Sequence, residues 1–256
     1  MNILSIGNSF SQDAQRYLHA IARVYNTRLY CANLYIGGCS LEQHAKNITS
    51  GAADYSYEIN GEEGREKVSV AVALDREKWD IVTLQQVSDL SGIQQSYQPY
   101  LSTVHDAVRA ACPDAKIYLH ETWAYEADST HNAFAKYDCN QNKMHEAIRS
   151  AVRKMSEEID AEIIPTGDAI QAVRAQLPEF NYTSGGISLN RDGFHLSLGY
   201  GRYIAGMTWY ATLTRKDIRG SAFPAELLDE PVDKDLLSGI NDIVYNIVES
   251  NGYLPK

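Results

Sequence analysis

Cysteine is scarce, and Cys31, Cys39, Cys112 and Cys139 stand at intervals that match neither a zinc nor a redox spacing. They read as packed thiols, and no metal or other cofactor is expected. Basic residues are outnumbered, 23 Lys and Arg against 33 Asp and Glu, giving a formal charge of -10. That is the wrong sign for a phosphate backbone, so nucleic acid is not an expected partner. No run approaches the ~20 apolar residues that span a bilayer. No basic stretch followed by an apolar one precedes the first strand. The chain as written therefore reads as cytoplasmic, with a secreted or periplasmic location the alternative if a signal peptide has been removed. A phosphate-cradling glycine loop, internal repeats and low-complexity tracts are also lacking, and nothing sets the oligomeric state.

What is present is enough apolar sequence, 44% of 256 residues, to bury one large core without disulfides. A single domain over 1–256 is expected. The 17 Tyr suit such a core, and they also suit a carbohydrate or aromatic ligand.

The chain opens on a short apolar run, Asn2 to Ile6, that ends in Gly7-Asn8-Ser9; it reads as a buried strand entering a tight turn. Ala14, Tyr17, Leu18, Ile21 and Val24 then recur at helical spacing, with Ser11 and Asp13 as plausible cap and first-turn residues. Further strands are expected at 28–36, 80–84, 115–119 and 162–164. Helices are expected from Ser40, over 97–108, over 144–159, from about Ser197 to Thr214, and over 236–247. Alternation around Asn60-Gly61 marks a hairpin inserted at 54–70. Short apolar strands alternating with helices predict an α/β fold, a three-layer α/β/α sandwich around a five-stranded parallel sheet. Ligands bind at the carboxyl ends of strands in such sheets. Ser9, Gly38, Gln85 and Glu121 all fall there.

Ser9 stands where a strand hands over to a helix, so free backbone N–H groups face an anion developing beside it. The simpler reading is that Ser9 or Ser11 caps the helix. Late in the chain, Asp192-Gly193-Phe194-His195 can form one turn in which the carboxylate holds the imidazole and leaves its other nitrogen free to act as a base. Alone, it could equally be a surface turn before a helix cap at Ser197. Trp123 and Tyr125, past the fourth expected strand, could stack on a sugar face or close the core beneath a loop. His120-Glu121 lacks the second His of a zinc-protease helix.

Taken together, Gly7-Asn8-Ser9-Phe10-Ser11 at the first strand and Asp192-Gly193-Phe194-His195 near the end resemble the SGNH or GDSL hydrolase superfamily, over nearly the whole chain. The opening block is similar to that of a sparsely characterised bacterial branch, with Asn8 where the superfamily usually has Asp. The resemblance implies a flavodoxin-like SGNH fold and a triad of Ser9, Asp192 and His195. It implies an oxyanion hole of three donors: the Ser9 N–H, the Gly38 N–H with Gly37 its competitor, and a side chain after the third strand. There the family's Gly-x-Asn-Asp block falls on Gln86-Val87-Ser88-Asp89, and a Leu-Gln-x-x-Ser pattern is met by Leu84, Gln85 and Ser88. Gln85 is the expected third donor, with Ser88 behind it; the alternative is that Gln85 only ties down a loop. The implied activity is hydrolysis of short-chain esters, acetyl first, on a small molecule or carbohydrate. A lipase or thioesterase of the same fold, or a non-catalytic carbohydrate-binding or structural protein, are the alternatives.

Overall fold

The computed structural model describes residues 1–220 and 223–254. Strands β1 (Asn2–Gly7), β2 (Tyr30–Tyr35), β3 (Tyr55–Ile59), β4 (Lys67–Val68), β5 (Ile81–Leu84), β6 (Lys116–His120) and β7 (Glu162–Ile164) form one sheet in the order β4-β3-β2-β1-β5-β6-β7. The five strands expected from the sequence run parallel to one another. The sheet nevertheless has seven strands, not five. The stretch read as a hairpin adds β3 antiparallel to β2, with Asn33 opposite Glu58, and β4 antiparallel to β3. Left without them, β2 would present a row of unpaired backbone groups at the sheet edge.

Central β1 is buried, and its Ser5 is tolerated there because its hydroxyl bonds the Thr83 hydroxyl of β5 at 2.6 Å. The helices are α1 (Ser9–Gln15), α2 (Leu18–Val24), α3 (Leu41–Ser50), α4 (Val70–Arg76), α5 (Tyr100–Ala111), α6 (Gln141–Glu158), α7 (Thr166–Gln176), α8 (Tyr200–Thr214) and α9 (Lys234–Ser250). Helices α3, α4 and α5 pack among themselves, as do α1, α2, α7, α8 and α9.

Three local expectations change. The first helical pattern is broken at Arg16-Tyr17 into α1 and α2, and its N-cap residue is Asn8 rather than Ser9, with the Ser11 hydroxyl completing the cap. Val70 belongs to a helix instead of a strand, because the Ser69 hydroxyl accepts the Val72 N–H and starts α4. Helix α7, missed in the sequence, follows β7 directly. Of the cysteines, Cys31 and Cys39 are buried and Cys112 is half-buried, but Cys139 is exposed, so the expectation of packed thiols fails there. Among the described residues no helix is long and apolar enough to cross a membrane.

Position in this topology selects the site. Strand β1 lies between β2 and β5, so the strand order reverses beside it, and in sheets of this kind ligands bind outside the carboxyl ends of the strands at such a reversal. Ser9 lies two residues past the end of β1.

Candidate active site

Asn8 shapes the turn that carries Ser9. Its Oδ1 accepts the Phe10 N–H at 3.0 Å, and Ser11 Oγ accepts the Asn8 N–H at 3.1 Å, a reciprocal cap. Ser9 thus occupies the first helical position, half-buried, with a backbone N–H that no helical carbonyl can reach. Asn8 Nδ2 donates to the Cys39 carbonyl at 3.0 Å, which fastens the loop after β2 beside Ser9. That loop turns through Gly37-Gly38, closed by the Cys39 N–H to the Ile36 carbonyl at 3.2 Å. Gly38 has φ +65°, and a side chain at Gly38 would meet nothing within 4 Å.

The Phe10 N–H also fixes the next links. Since Asn8 Oδ1 is an acceptor, the Gln85 atom 2.8 Å from it is the donor Nε2, and Gln85 Oε1 faces His120 Nδ1 at 2.8 Å. His120 therefore carries its proton on Nδ1. Burial pushes its pKa down to about 3, so the ring is neutral. Gln85, buried at the end of β5, accordingly ties Asn8 in place with one amide proton and has a second to spare. Ser88 is buried and shares a 2.9 Å hydrogen bond with the Tyr125 hydroxyl.

This arrangement calls for an amide at position 8, which donates as well as accepts. A carboxylate at Asn8 would still accept from Phe10 and Gln85 but would set an anionic oxygen against the Cys39 carbonyl. Asn8→Asp should therefore lower stability by about 1–3 kcal/mol, the cost of an unpaired buried acceptor. The urea midpoint measures this, and an unchanged midpoint would show the Cys39 contact to be idle.

Asp192 and His195 meet in one turn. Gly193 has φ +86°, a conformation that favours glycine, and a side chain at Gly193 would crowd Ser129, with Oγ at 3.0 Å. Asp192 Oδ1 accepts the Phe194 and His195 N–H groups at 3.2 and 2.8 Å, and Oδ2 accepts from His195 Nδ1 at 2.7 Å. Partial burial pushes the Asp192 carboxyl up, but these hydrogen bonds outweigh it and hold the pKa below the ordinary value. A carboxylate on Nδ1 leaves Nε2 as the acceptor, and Nε2 lies 2.9 Å from Ser9 Oγ.

Asp13, one turn after Ser9 and fully buried, ties the two halves together. It accepts the Leu196 N–H at 3.0 Å, Arg191 Nη1 on both oxygens at 3.1 and 3.0 Å, and Arg202 Nε of α8 at 2.8 Å. Trp123 makes a second tie. Its ring stacks on Phe10 at 4.1 Å, and its Nε1 donates to the Phe194 carbonyl at 2.8 Å, joining the residue after Ser9 to the one before His195. Trp123 and Tyr125 are both fully buried, so neither offers a face to a sugar. Of their two expected roles, they take the one beneath the loop. Asp13, Arg191 and Arg202 are parts of the candidate site that sequence reasoning missed, and His120, at the end of the fourth expected strand, enters it as the partner of Gln85.

Among the described residues, one cluster has metal-ligand character: Glu121, His145 and Asp168, with ligand atoms within 4.8 Å of one another. It is already compensated. Asp168 meets His145 Nε2 at 3.1 Å and Arg149 Nε at 3.3 Å, and Glu121 Oε1 accepts the Asp168 N–H at 2.8 Å. Burial first, and the Asp168 charge second, raise the Glu121 pKa well above the carboxylate range. A carboxyl whose folded pKa is raised contributes stability that is complete below its unfolded pKa and lost as pH climbs through the folded one. Stability should thus fall as pH rises from about 4.5 towards about 8, and Glu121→Gln should flatten that slope. Urea midpoints across the range test this; an equal slope in both proteins would remove Glu121 as its source.

The sequence matches the family described as Domain of unknown function (DUF4886) over residues 2–232. A crystal structure of a DUF4886 family protein from Bacteroides uniformis is 36% identical, with 97% of this chain and 95% of that chain covered and a TM-score of 0.88. The chain belongs to the DUF4886 family. Similarity of fold extends to a candidate SGNH hydrolase from Slackia heliotrinireducens, at 20% identity, 83% and 98% coverage and a TM-score of 0.55. It extends also to the psychrotrophic esterase EstA from Pseudoalteromonas sp., at 11% identity, 84% and 97% coverage and a TM-score of 0.53. This DUF4886 protein thus has the fold of SGNH hydrolases. A comparison with curated protein sequences gives no match.

Proposed function

We propose that this DUF4886 protein is a serine esterase that hydrolyses short acyl esters, acetyl foremost, on a small molecule or carbohydrate. The observation that carries the reading is the unbroken chain from Ser9 Oγ through His195 Nε2, at 2.9 Å, and His195 Nδ1 to Asp192, at 2.7 Å. Ser9 Oγ bonds to the carbonyl carbon as its proton passes to His195 Nε2, while Asp192 keeps Nδ1 protonated and steadies the imidazolium. The tetrahedral intermediate then breaks its bond to the alcohol oxygen, which leaves with the Nε2 proton. Water repeats the sequence on the acyl-serine, releasing the acid and restoring Ser9. Charge on the carbonyl oxygen is met by the Ser9 and Gly38 N–H groups and by the spare Gln85 amide proton, with the Ser88 hydroxyl the fourth candidate donor; one such donor is worth roughly 10²–10³ in rate.

The test is labelling by a fluorophosphonate followed by peptide mapping. Modification of Ser9 is expected, and an intact Ser9 under conditions that label a control esterase would overturn the proposal. Acetyl and octanoyl aryl esters compared on the same enzyme separate this reading from a lipase or thioesterase, which would favour the longer chain.

A further inference from the structure

Gln85 and His120 meet across two strand ends. Leu84 stands opposite Leu119 in the pairing of β5 with β6, so the residue after each comes to the same rim, beside the end of β1. The Gln85 amide lies against Gly7, two residues before Ser9, where an added Cβ would come within 3.4 Å of Gln85 Cδ. Its Nε2 donates to Asn8 Oδ1 and its Oε1 accepts from His120 Nδ1, both at 2.8 Å. The terminal torsion of a Gln side chain is broad and roughly two-fold, so rotamer preference does not fix the amide plane. With one hydrogen bond the amide could still rock about that bond. Two anchors, one at each end, fix the plane and with it the direction of the N–H that remains.

His120 has no other polar task. Its side chain is buried, and its Nε2 has no hydrogen-bond partner among the described residues. The ring is T-shaped against Trp209 at 4.9 Å and tilted against Trp123 at 6.1 Å. A phenyl ring would suit such neighbours and strand no polar atom. The imidazole carries the desolvation cost of an unpaired Nε2, and its one polar return is the Nδ1–H held on Gln85. The proton has a single place to be. A second one on Nε2 would be buried unpaired, and moving the first from Nδ1 to Nε2 would set a lone pair against Gln85 Oε1.

We infer that His120 is a positioning residue of the oxyanion hole: its Nδ1–H holds the Gln85 amide in the plane that aims the spare N–H at the carbonyl oxygen bound beside Ser9. The inference rests on the esterase reading and extends it to a residue that touches no substrate. Asn8 and His120 divide the task. Asn8 decides which end of the amide faces β1, because a flipped amide would set its carbonyl oxygen against Asn8 Oδ1, and His120 decides the tilt.

The first arm of the test is kinetic, with 4-nitrophenyl acetate. His120→Phe keeps a ring against the two tryptophans and removes the donor. Its kcat should fall about tenfold, less than the roughly 10²–10³ that a whole oxyanion donor is worth, while KM stays within about twofold. His120→Asn, which carries an N–H on the same Cγ, should bring kcat back to within about threefold of wild type. In a Gln85→Leu background, His120→Phe should change kcat by less than about twofold, because the donor it serves is gone. A residue that acted through packing alone would lower kcat by the same factor in both backgrounds and gain nothing from Asn. The second arm uses the unmodified protein, in which nitrogen NMR of isotope-labelled imidazoles should find the His120 proton on Nδ1 and none on Nε2. A His120→Phe protein with wild-type kcat, equal losses in the two backgrounds, no recovery by His120→Asn, or a proton on Nε2 each overturns the inference. If Ser9 of the unmodified protein resists fluorophosphonate, the esterase reading falls and this role with it; if Ser9 is labelled and any of those results is found, only the role of His120 falls.

Discussion

Ser9→Ala is expected to abolish turnover of short aryl esters, with kcat falling by roughly 10⁴–10⁶, the range found when a nucleophile that acts as one unit with its base is removed. The same change should scarcely move the urea midpoint. Ser9 could have been a helix cap, in which case alanine would cost stability and leave chemistry alone. The structure separates these roles, because the caps are made by Asn8 Oδ1 and Ser11 Oγ, and the contact Ser9 Oγ loses is the one to His195. One half-buried hydrogen bond is worth about 1 kcal/mol, a small effect beside the rate loss. Measuring kcat and the midpoint on the same preparation decides the matter. A variant that keeps more than a tenth of wild-type kcat would exclude Ser9 as the nucleophile, since residual hydrolysis through the oxyanion donors alone is orders of magnitude slower.

Much of this was legible in the sequence because it is local. The five parallel strands announce themselves as short apolar runs, and Asp192-Gly193-Phe194-His195 is one turn whose hydrogen bonds close within four residues. What was not legible depends on who stands opposite. Trp123 and Tyr125 past a strand end look the same in sequence whether they line a rim or lie under it; stacking on Phe10 and the bond to Ser88 put both inside. Gln85 has the chemistry of an oxyanion donor, but its partners Asn8 and His120 lie 77 and 35 residues away. The two extra strands escaped as part of the main sheet because antiparallel pairing of β3 with β2 leaves no mark on either strand alone. Asp13 did leave one. It falls on the stripe Phe10, Asp13, Ala14, Tyr17, at i, i+3, i+4 and i+7, all of them buried. A charge on the apolar face of an amphipathic helix requires a partner of opposite sign inside the protein.

That requirement makes Asp13→Asn the second large effect. Asn is nearly isosteric, so the helix and its packing survive, but one carboxylate oxygen becomes an N–H₂ group, set against Arg191 and Arg202 in place of Oδ1 or against Arg191 and the Leu196 N–H in place of Oδ2, and the oxygen that stays is drawn to the two guanidinium groups. Removing a partner from a fully buried pair costs about 3–5 kcal/mol. The Arg191 and Arg202 side chains retain 30% and 13% exposure and can turn partly to water, which brings the expected loss of stability to about 2–3 kcal/mol. The consequence for catalysis is more specific. Leu196 follows His195 directly, and its N–H bond to Asp13 sets where the imidazole stands relative to a nucleophile four residues earlier on Asp13's own helix. Freed of that bond, the loop can draw Nε2 away from Ser9 Oγ, and a misplacement of ~1 Å costs on the order of 100-fold in rate. Asp13 touches no substrate in the proposed mechanism, so kcat should fall by about 30- to 100-fold while KM stays within about twofold. Fluorophosphonate labelling of Ser9 should slow in parallel, because that reaction needs the same base. Assays run well below the unfolding temperature keep the two effects apart. A folded Asp13→Asn protein with kcat within about twofold of wild type would show that the loop carrying His195 is held by Trp123 and its own turn alone.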